Sequence, residues 1–298
     1  MKSIIIHGGA WNMPKNLEEP HLKGVREACK AGRDLLLDGK KSADAVTDAL
    51  TVLEDDETFD AGVGSFLSSA GSVELDAGMM TGENQDFASC GSVTRIKNPI
   101  RLCRKMLDVS PNKLLVCEGA HQFAQKNGIV LIDNLELVTK RELDRYNKYF
   151  SAVETYFQPS DTVGAVALDG NGNITAANTT GGTPGKPPGR VGDSPIVGCG
   201  IYAGKLAGMA ATGLGEPIIK TVLTKAVYDK YKETKDIWKS SEHGIKALSE
   251  YGWGGVIALD RYGNHAAVHN TTKMPYAFWN EISDKIEVKI KSEKELDQ

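Results

Sequence analysis

Two stretches of the chain carry one pattern: Gly164-Ala165-Val166-Ala167-Leu168-Asp169-Gly170-Asn171-Gly172-Asn173 and Gly255-Val256-Ile257-Ala258-Leu259-Asp260-Arg261-Tyr262-Gly263-Asn264. Each reads as an apolar strand, a glycine-bearing turn and a returning strand, the form hairpins take in a layered sheet fold. The first half of the chain adds helices to this frame. Glu19 to Leu37 and Ser42 to Leu53 have helical spacing, with Ala43, Val46, Ala49 or Leu50, and Leu53 on one apolar stripe. Gly39 reads as the stop of the first helix and Ser42 as the N-cap of the second. Ile4 to Ile6, Ser72 to Leu75, Gly91 to Ile96 and Leu114 to Cys117 read as strands, with helices near Arg101 to Leu107 and through Phe123. Asn134 to Ser160, rich in charges and tyrosines without a sustained core stripe, reads as an exposed linker, partly helical. At 298 residues the chain has room for one large α/β domain or two small ones.

Aligning the two hairpins sets Thr162 against Trp253, so only the first copy has a hydroxyl where its strand begins. A threonine hydroxyl needs a base beside it to act as a nucleophile, and no histidine lies nearby in sequence. Thr162 can supply its own. Cutting the bond after Asp161 would free an α-amine of pKa roughly 7.7 to 8.0 within reach of the hydroxyl. The plainer reading is that Thr162 only opens a buried strand, where β-branched residues are common. Three further segments bear on that choice. Thr179-Thr180-Gly181-Gly182 and Thr212-Gly213-Leu214-Gly215-Glu216 combine hydroxyls with glycines, which allow close backbone approach to a ligand and can present N–H groups to an oxyanion. Between them, Arg190 and Asp193 stand three residues apart. Such a pair can hold the α-carboxylate and α-amine of an amino acid, or can be a structural salt bridge in a loop.

Composition narrows the partner class. With 35 basic and 39 acidic residues the formal charge is −4, and no basic excess or polybasic stretch points to nucleic acid or anionic lipid. A small-molecule or dipeptide substrate is expected. The three-residue apolar core at Ile4 to Ile6 is too short for a signal peptide, and no run approaches the ~20 residues that span a bilayer. Cys29, Cys90, Cys103, Cys117 and Cys199 are odd in number and lack paired spacing, so reduced, mostly buried thiols and a cytoplasmic location are expected. No metal or cofactor is expected; His7, His21, His121, His243, His265 and His269 show no zinc-protease spacing, and His265 and His269 read as strand residues.

Taken in order, His7-Gly8-Gly9-Ala10, Ala61 to Ser65, Val73 to Ala77, Ile96 to Ile100, Thr162 to Asp169, Thr180 to Gly182, Gly189 to Pro195 and Thr212 to Glu216 make the chain resemble the plant-type asparaginase and isoaspartyl peptidase group of N-terminal nucleophile hydrolases. The resemblance implies a single domain over 1–298 with the four-layer αββα sandwich, two stacked sheets between helices. It implies self-cleavage into residues 1–161, ending in the linker, and residues 162–298, and a homodimer of the processed pairs. Thr162 is implied as nucleophile for L-asparagine and β-aspartyl dipeptides, Thr180 as the hydroxyl that orients it, Arg190 and Asp193 as the substrate clamp, Thr212 and Gly213 as the oxyanion hole, and Gly215 as pocket lining. The chain departs from that pattern in places. Asp161 replaces the usual glycine before the nucleophile, as in glycosylasparaginase and the threonine aspartase. Asp60 replaces an asparagine; it either caps its loop as the amide would, or turns a charge toward an anionic substrate. Gly78 and Thr81 stand where serine and aspartate are common.

Two other readings stay open. A glycosylasparaginase-like hydrolase gains from Asp161 and loses from the short apolar start and unpaired cysteines; an unprocessed, non-catalytic homologue is the second. A serine hydrolase is disfavoured, because His7-Gly8-Gly9 has no Gly-x-Ser-x-Gly elbow to accompany it.

Overall fold

The strand period of two explains how one short sequence can lie between two cores. In β1 (Ser3–Gly8), Ile4 and Ile6 join one hydrophobic cluster and Ile5 joins the other, all three fully buried. The computed structural model describes residues 1–151 and 161–292. The strands that follow are β2 (Leu75–Thr81), β3 (Phe87–Val93), β4 (Leu114–Val116), β5 (Val163–Leu168), β6 (Ile174–Thr180), β7 (Ile201–Ala203), β8 (Ala207–Gly213), β9 (Gly254–Asp260), β10 (His265–His269), β11 (Tyr276–Asn280) and β12 (Glu287–Lys289). They form an eight-stranded sheet ordered β12-β11-β1-β5-β6-β2-β3-β4 and a four-stranded sheet ordered β10-β9-β8-β7. Neighbouring strands are antiparallel except β3 and β4.

Helices α1 (Lys15–Leu37), α2 (Ser42–Glu54), α3 (Pro99–Val109) and α4 (Cys117–Lys126) pack on the large sheet, and α5 (Lys140–Ser151) follows a short 3-10 turn at Asn134–Leu137. On the small sheet lie α6 (Gly215–Thr221), α7 (Leu223–Thr234) and α8 (Ile237–Ser249). The facing strands β5, β6 and β8 bring the sheets together, which completes the αββα layering expected for the chain. The two similar hairpins fall in different sheets, β5–β6 in one and β9–β10 in the other. Their turns are built alike. Asp169 Oδ1 accepts the amides of Asn171 and Asn173, and Asp260 Oδ1 accepts those of Tyr262 and Asn264.

Several local expectations shift. Ser42 is the first residue of α2 rather than its cap; its amide donates to Asp169 Oδ2, so the hairpin turn 127 residues away satisfies the helix end. Strand pairing begins at Leu75 rather than Ser72, and β3 runs Phe87–Val93 rather than Gly91 to Ile96. In the expected linker, residues 152–160 lie outside the described residues, while Leu137 and Glu142 are buried. Gly78 has no space for a side chain: a Cβ there would lie 2.9 Å from Pro195 Cα and 3.1 Å from Ser89 Oγ.

Glu54 ends α2 fully buried, its Oε1 accepting from Thr179 Oγ1 at 2.7 Å and the Ile100 amide at 3.0 Å. Burial pushes its carboxyl up to about 8, against the hydrogen bonds from Thr179 and Ile100. Between the unfolded value, about 4.3, and 8 the folded chain therefore holds a proton that the unfolded chain has lost, and stability falls as pH rises through that window. Calorimetry at pH 5 and pH 8 should show the Glu54→Gln chain losing less Tm over that interval than the wild type. Equal slopes in the two chains would exclude a proton on Glu54.

Candidate active site

Thr162 immediately precedes β5, and Thr180 is the last residue of β6. Because Val163 pairs with Thr179, the next position along the ladder brings Thr162 opposite Thr180. The Thr162 hydroxyl donates to Thr180 Oγ1 at 3.1 Å, and the Gly182 amide donates to the same oxygen at 3.0 Å. Both threonines are buried, at 2% exposure. The two contacts fix the Thr162 rotamer, which is what an attacking hydroxyl needs.

Asp76 connects this pair to the expected clamp. It is the β2 partner of Thr180, and its carboxylate accepts the Gly192 amide at 3.3 Å and the Ser92 amide at 2.7 Å. Gly192 lies between Arg190 and Asp193 in the chain, so the β2–β6 register carries the Arg190–Asp193 loop to the Thr162 end of the sheet. A Cβ on Gly215 would lie 2.7 Å from Arg190 Nη2 and 3.1 Å from Asp193 Oδ1, so these two side chains close around a residue that has no room for one of its own. The Arg190 guanidinium holds the exposed Glu216 carboxylate through Nε and Nη2 at 3.0 to 3.1 Å. Asp193 Oδ2 is buried without a hydrogen-bond partner among the described residues. Burial pushes the Asp193 carboxyl up to about 7; Arg190 opposes the rise, and Glu216 and Asp76 add to it.

Thr212 and Gly213 close β8. Asn178 ties that strand to β6, donating to Ala211 O at 2.8 Å and Gly200 O at 3.0 Å. Thr212 is fully buried, and its Oγ1 has no hydrogen-bond partner among the described residues. Gly213 has φ +140°, and a Cβ there would come within 2.4 Å of Gly254 Cα and 2.5 Å of Trp253 O. Only glycine holds that backbone. An unpaired hydroxyl beside a glycine backbone that a ligand can approach closely is suited to receiving a developing oxyanion.

Asp60 occupies the loop beside this site. Its Oδ1 accepts the Phe66 amide at 2.8 Å, the local side-chain capping expected for it, and its backbone carbonyl accepts the Gly181 amide at 2.9 Å. Burial drives its carboxyl well above the usual range, the Phe66 amide works against that rise, and the neighbouring Asp161 and Glu142 carboxylates reinforce it.

Three residues beside these received no site role from the sequence reading: His21, His7 and Asn178. His21 Nε2 lies 2.8 Å from Oδ2 of Asp161, the residue directly before Thr162. The signal for it was its place on the buried stripe of α1, with Gly24, Val25, Ala28, Cys29, Gly32 and Leu36. His7 is fully buried, which pushes its imidazole down to about 3 and keeps it neutral beside Asn178 and the Thr162 backbone. No helix among the described residues is long and apolar enough to cross a membrane.

Comparison with known proteins gives the same collinear picture. A family model described as asparaginase matches residues 1–288. A Danio rerio protein named isoaspartyl peptidase/L-asparaginase is 36% identical over 281 residues, 92% of this chain and 91% of its own length. The Bos taurus protein of the same name is 38% identical over 284 residues, 92% of each chain. A Thermococcus kodakarensis protein named plant-type L-asparaginase is 37% identical over 306 aligned residues, 96% of this chain and 99% of its own. Since the similarity spans both sheets and the whole set of converging residues, the chain belongs to the asparaginase family.

Proposed function

We propose that the chain is a threonine-type amidohydrolase that cuts itself between Asp161 and Thr162 and then hydrolyses L-asparagine and the isopeptide bond of β-aspartyl dipeptides. The observation that carries this reading is the Thr162 hydroxyl, buried and fixed by Thr180 at 3.1 Å, at the sheet end that also holds the Arg190–Asp193 loop. Once freed, the Thr162 α-amine takes the proton from its own hydroxyl as the oxygen attacks the substrate carbonyl. The Thr212 hydroxyl and the Gly213 backbone face the resulting oxyanion, while Arg190 and Asp193 hold the substrate's α-carboxylate and α-ammonium. Ammonia or the amino-acid amine leaves with the transferred proton, and water hydrolyses the acyl ester on Thr162. Family membership and the relatives' names support the same reaction class. A homodimer of processed pairs and a cytoplasmic location belong to this reading too, the first from the family resemblance and the second from five unpaired cysteines.

Intact-mass analysis of purified protein over several days, followed by assays on L-asparagine, a β-aspartyl dipeptide and a sugar-linked asparagine, tests the proposal. The expected result is two masses, for residues 1–161 and 162–298, with turnover of the first two substrates appearing as the uncut mass disappears. Turnover of the sugar-linked substrate alone would replace the proposal with a glycosylasparaginase reading. A single unchanged mass without turnover would reject self-cleavage.

A further inference from the structure

His21 and Asp161 are 140 residues apart in sequence and form a buried pair, at 1% and 6% side-chain exposure. The imidazole is held from both sides. Its Nδ1 lies 2.8 Å from the Leu17 carbonyl, and its ring packs edge-on against Phe59 and Trp11, with centroids 4.9 and 6.2 Å away. A carbonyl only accepts, so Nδ1 carries a proton, and Nε2 is left to meet Asp161 Oδ2. The other carboxylate oxygen, Asp161 Oδ1, is buried without a hydrogen-bond partner among the described residues. It presses on Gly9, where a Cβ would fall 1.7 Å from it, so the positive-φ glycine of the His7-Gly8-Gly9 turn makes its room. An unpaired carboxylate oxygen in a buried site is costly unless something uses it.

We infer that His21 is a positioning residue for self-cleavage: by holding Asp161 Oδ2 it leaves Oδ1 unpaired to take the Thr162 hydroxyl proton. The inference rests on the self-cleaving reading and assigns His21 a part in it. Thr162 Oγ1 attacks the Asp161 carbonyl carbon as its proton passes to Asp161 Oδ1. The C–N bond then breaks while that proton moves to the departing nitrogen, leaving Asp161 esterified to Thr162 Oγ1. Water hydrolyses the ester, giving a new α-carboxylate on Asp161 and both a free α-amine and a free hydroxyl on Thr162. His21 touches none of the reacting atoms; it acts through the carboxylate. Protonated, it pairs with Asp161 by charge: burial lowers its affinity for a proton, but the Asp161 carboxylate outweighs that, and the net shift is upward despite Arg141. By donating from Nε2 the imidazole engages Oδ2 alone, and Oδ1 stays the oxygen able to accept a proton.

The test compares first-order processing of the full chain, followed by intact mass, for wild type, His21→Phe, His21→Gln and Asp161→Gly, and for His21→Phe combined with Asp161→Gly. Phenylalanine keeps the packing against Trp11 and Phe59 without a donor, whereas glutamine retains an N–H able to reach Oδ2. His21→Phe should slow cutting by about tenfold or more, and His21→Gln should recover most of the rate. On the Asp161→Gly background, His21→Phe should change nothing, because the group it positions is gone. An Asp161→Gly chain that stays uncut supports the need for Asp161, and the Phe-against-Gln comparison then decides the role of His21. Wild-type cutting in His21→Phe, equal slowing by Phe and Gln, or equal slowing by His21→Phe on both backgrounds would overturn the role while leaving self-cleavage intact. A wild-type chain that never cuts would remove both.

Discussion

Thr162→Ala is expected to give a chain that stays in one piece through days of incubation and turns over neither L-asparagine nor β-aspartyl dipeptides. In the proposed function one oxygen serves both reactions, first against the Asp161 carbonyl and then against substrate, so its removal acts twice. Loss of an attacking hydroxyl in comparable hydrolases lowers turnover on the order of 10⁴-fold or more. The fold should survive. Thr162 lies outside the strand ladder, and the hydrogen bond lost to Thr180 is worth about 1 kcal/mol. Melting temperatures within a few degrees of the uncut wild type would confirm that chemistry, not folding, has been removed. Thr162→Ser keeps the oxygen and should still cut, more slowly because the methyl that restricts χ1 is gone. Fragments ending at Asp161 from the alanine chain would show that another group, or a contaminating protease, performs the cleavage.

Elements whose signals are local were readable before the fold was known. The β5–β6 and β9–β10 hairpins follow from apolar runs closed by Asp169 and Asp260, whose carboxylates bind amides two and four residues on. Thr162, Thr180, Arg190, Asp193, Thr212 and Gly213 stood out because their neighbours were glycines and hydroxyls that packing alone does not require. Partnerships across the fold were hidden. Nothing near Ser42 in sequence reveals that Asp169 satisfies the start of α2, and nothing near His21 points to Asp161. Strand edges were misplaced for a related reason. Ser72 and Val73 look like strand residues, but the Asn134 side chain takes up the Val73 amide and carbonyl, the Ser72 carbonyl accepts the Ser68 amide, and the β2 ladder starts only at Leu75. Arg190 and Asp193 suggested a ligand pair, yet the guanidinium is held by Glu216, a residue that the sequence placed only in the oxyanion segment.

That arrangement makes Arg190→Ala the second variant from which a large loss is expected. The guanidinium is mostly buried, at 14% exposure, and grips Glu216 as it would a substrate carboxylate, so substrate would displace an exposed surface carboxylate. Removing a desolvated, bidentate contact of this kind costs about 1.5 to 3 kcal/mol, roughly ten- to a hundredfold in kcat/KM for β-aspartyl dipeptides. A second effect follows from charge. Asp193 must be ionised to accept the substrate ammonium, and burial already holds its carboxyl at about 7 in the wild type, with Arg190 resisting the rise. Wild-type kcat/KM should therefore fall as pH drops through about 7, and without Arg190 that fall should begin at higher pH. The deficit of Arg190→Ala relative to wild type should then be greater at pH 7 than at pH 9, where Asp193 is ionised more fully in both. Profiles of kcat/KM against pH for the two proteins measure the contact and the charge effect together. An unchanged kcat/KM would remove Arg190 from the substrate site, and a deficit constant with pH would leave it there as a carboxylate anchor uncoupled from Asp193.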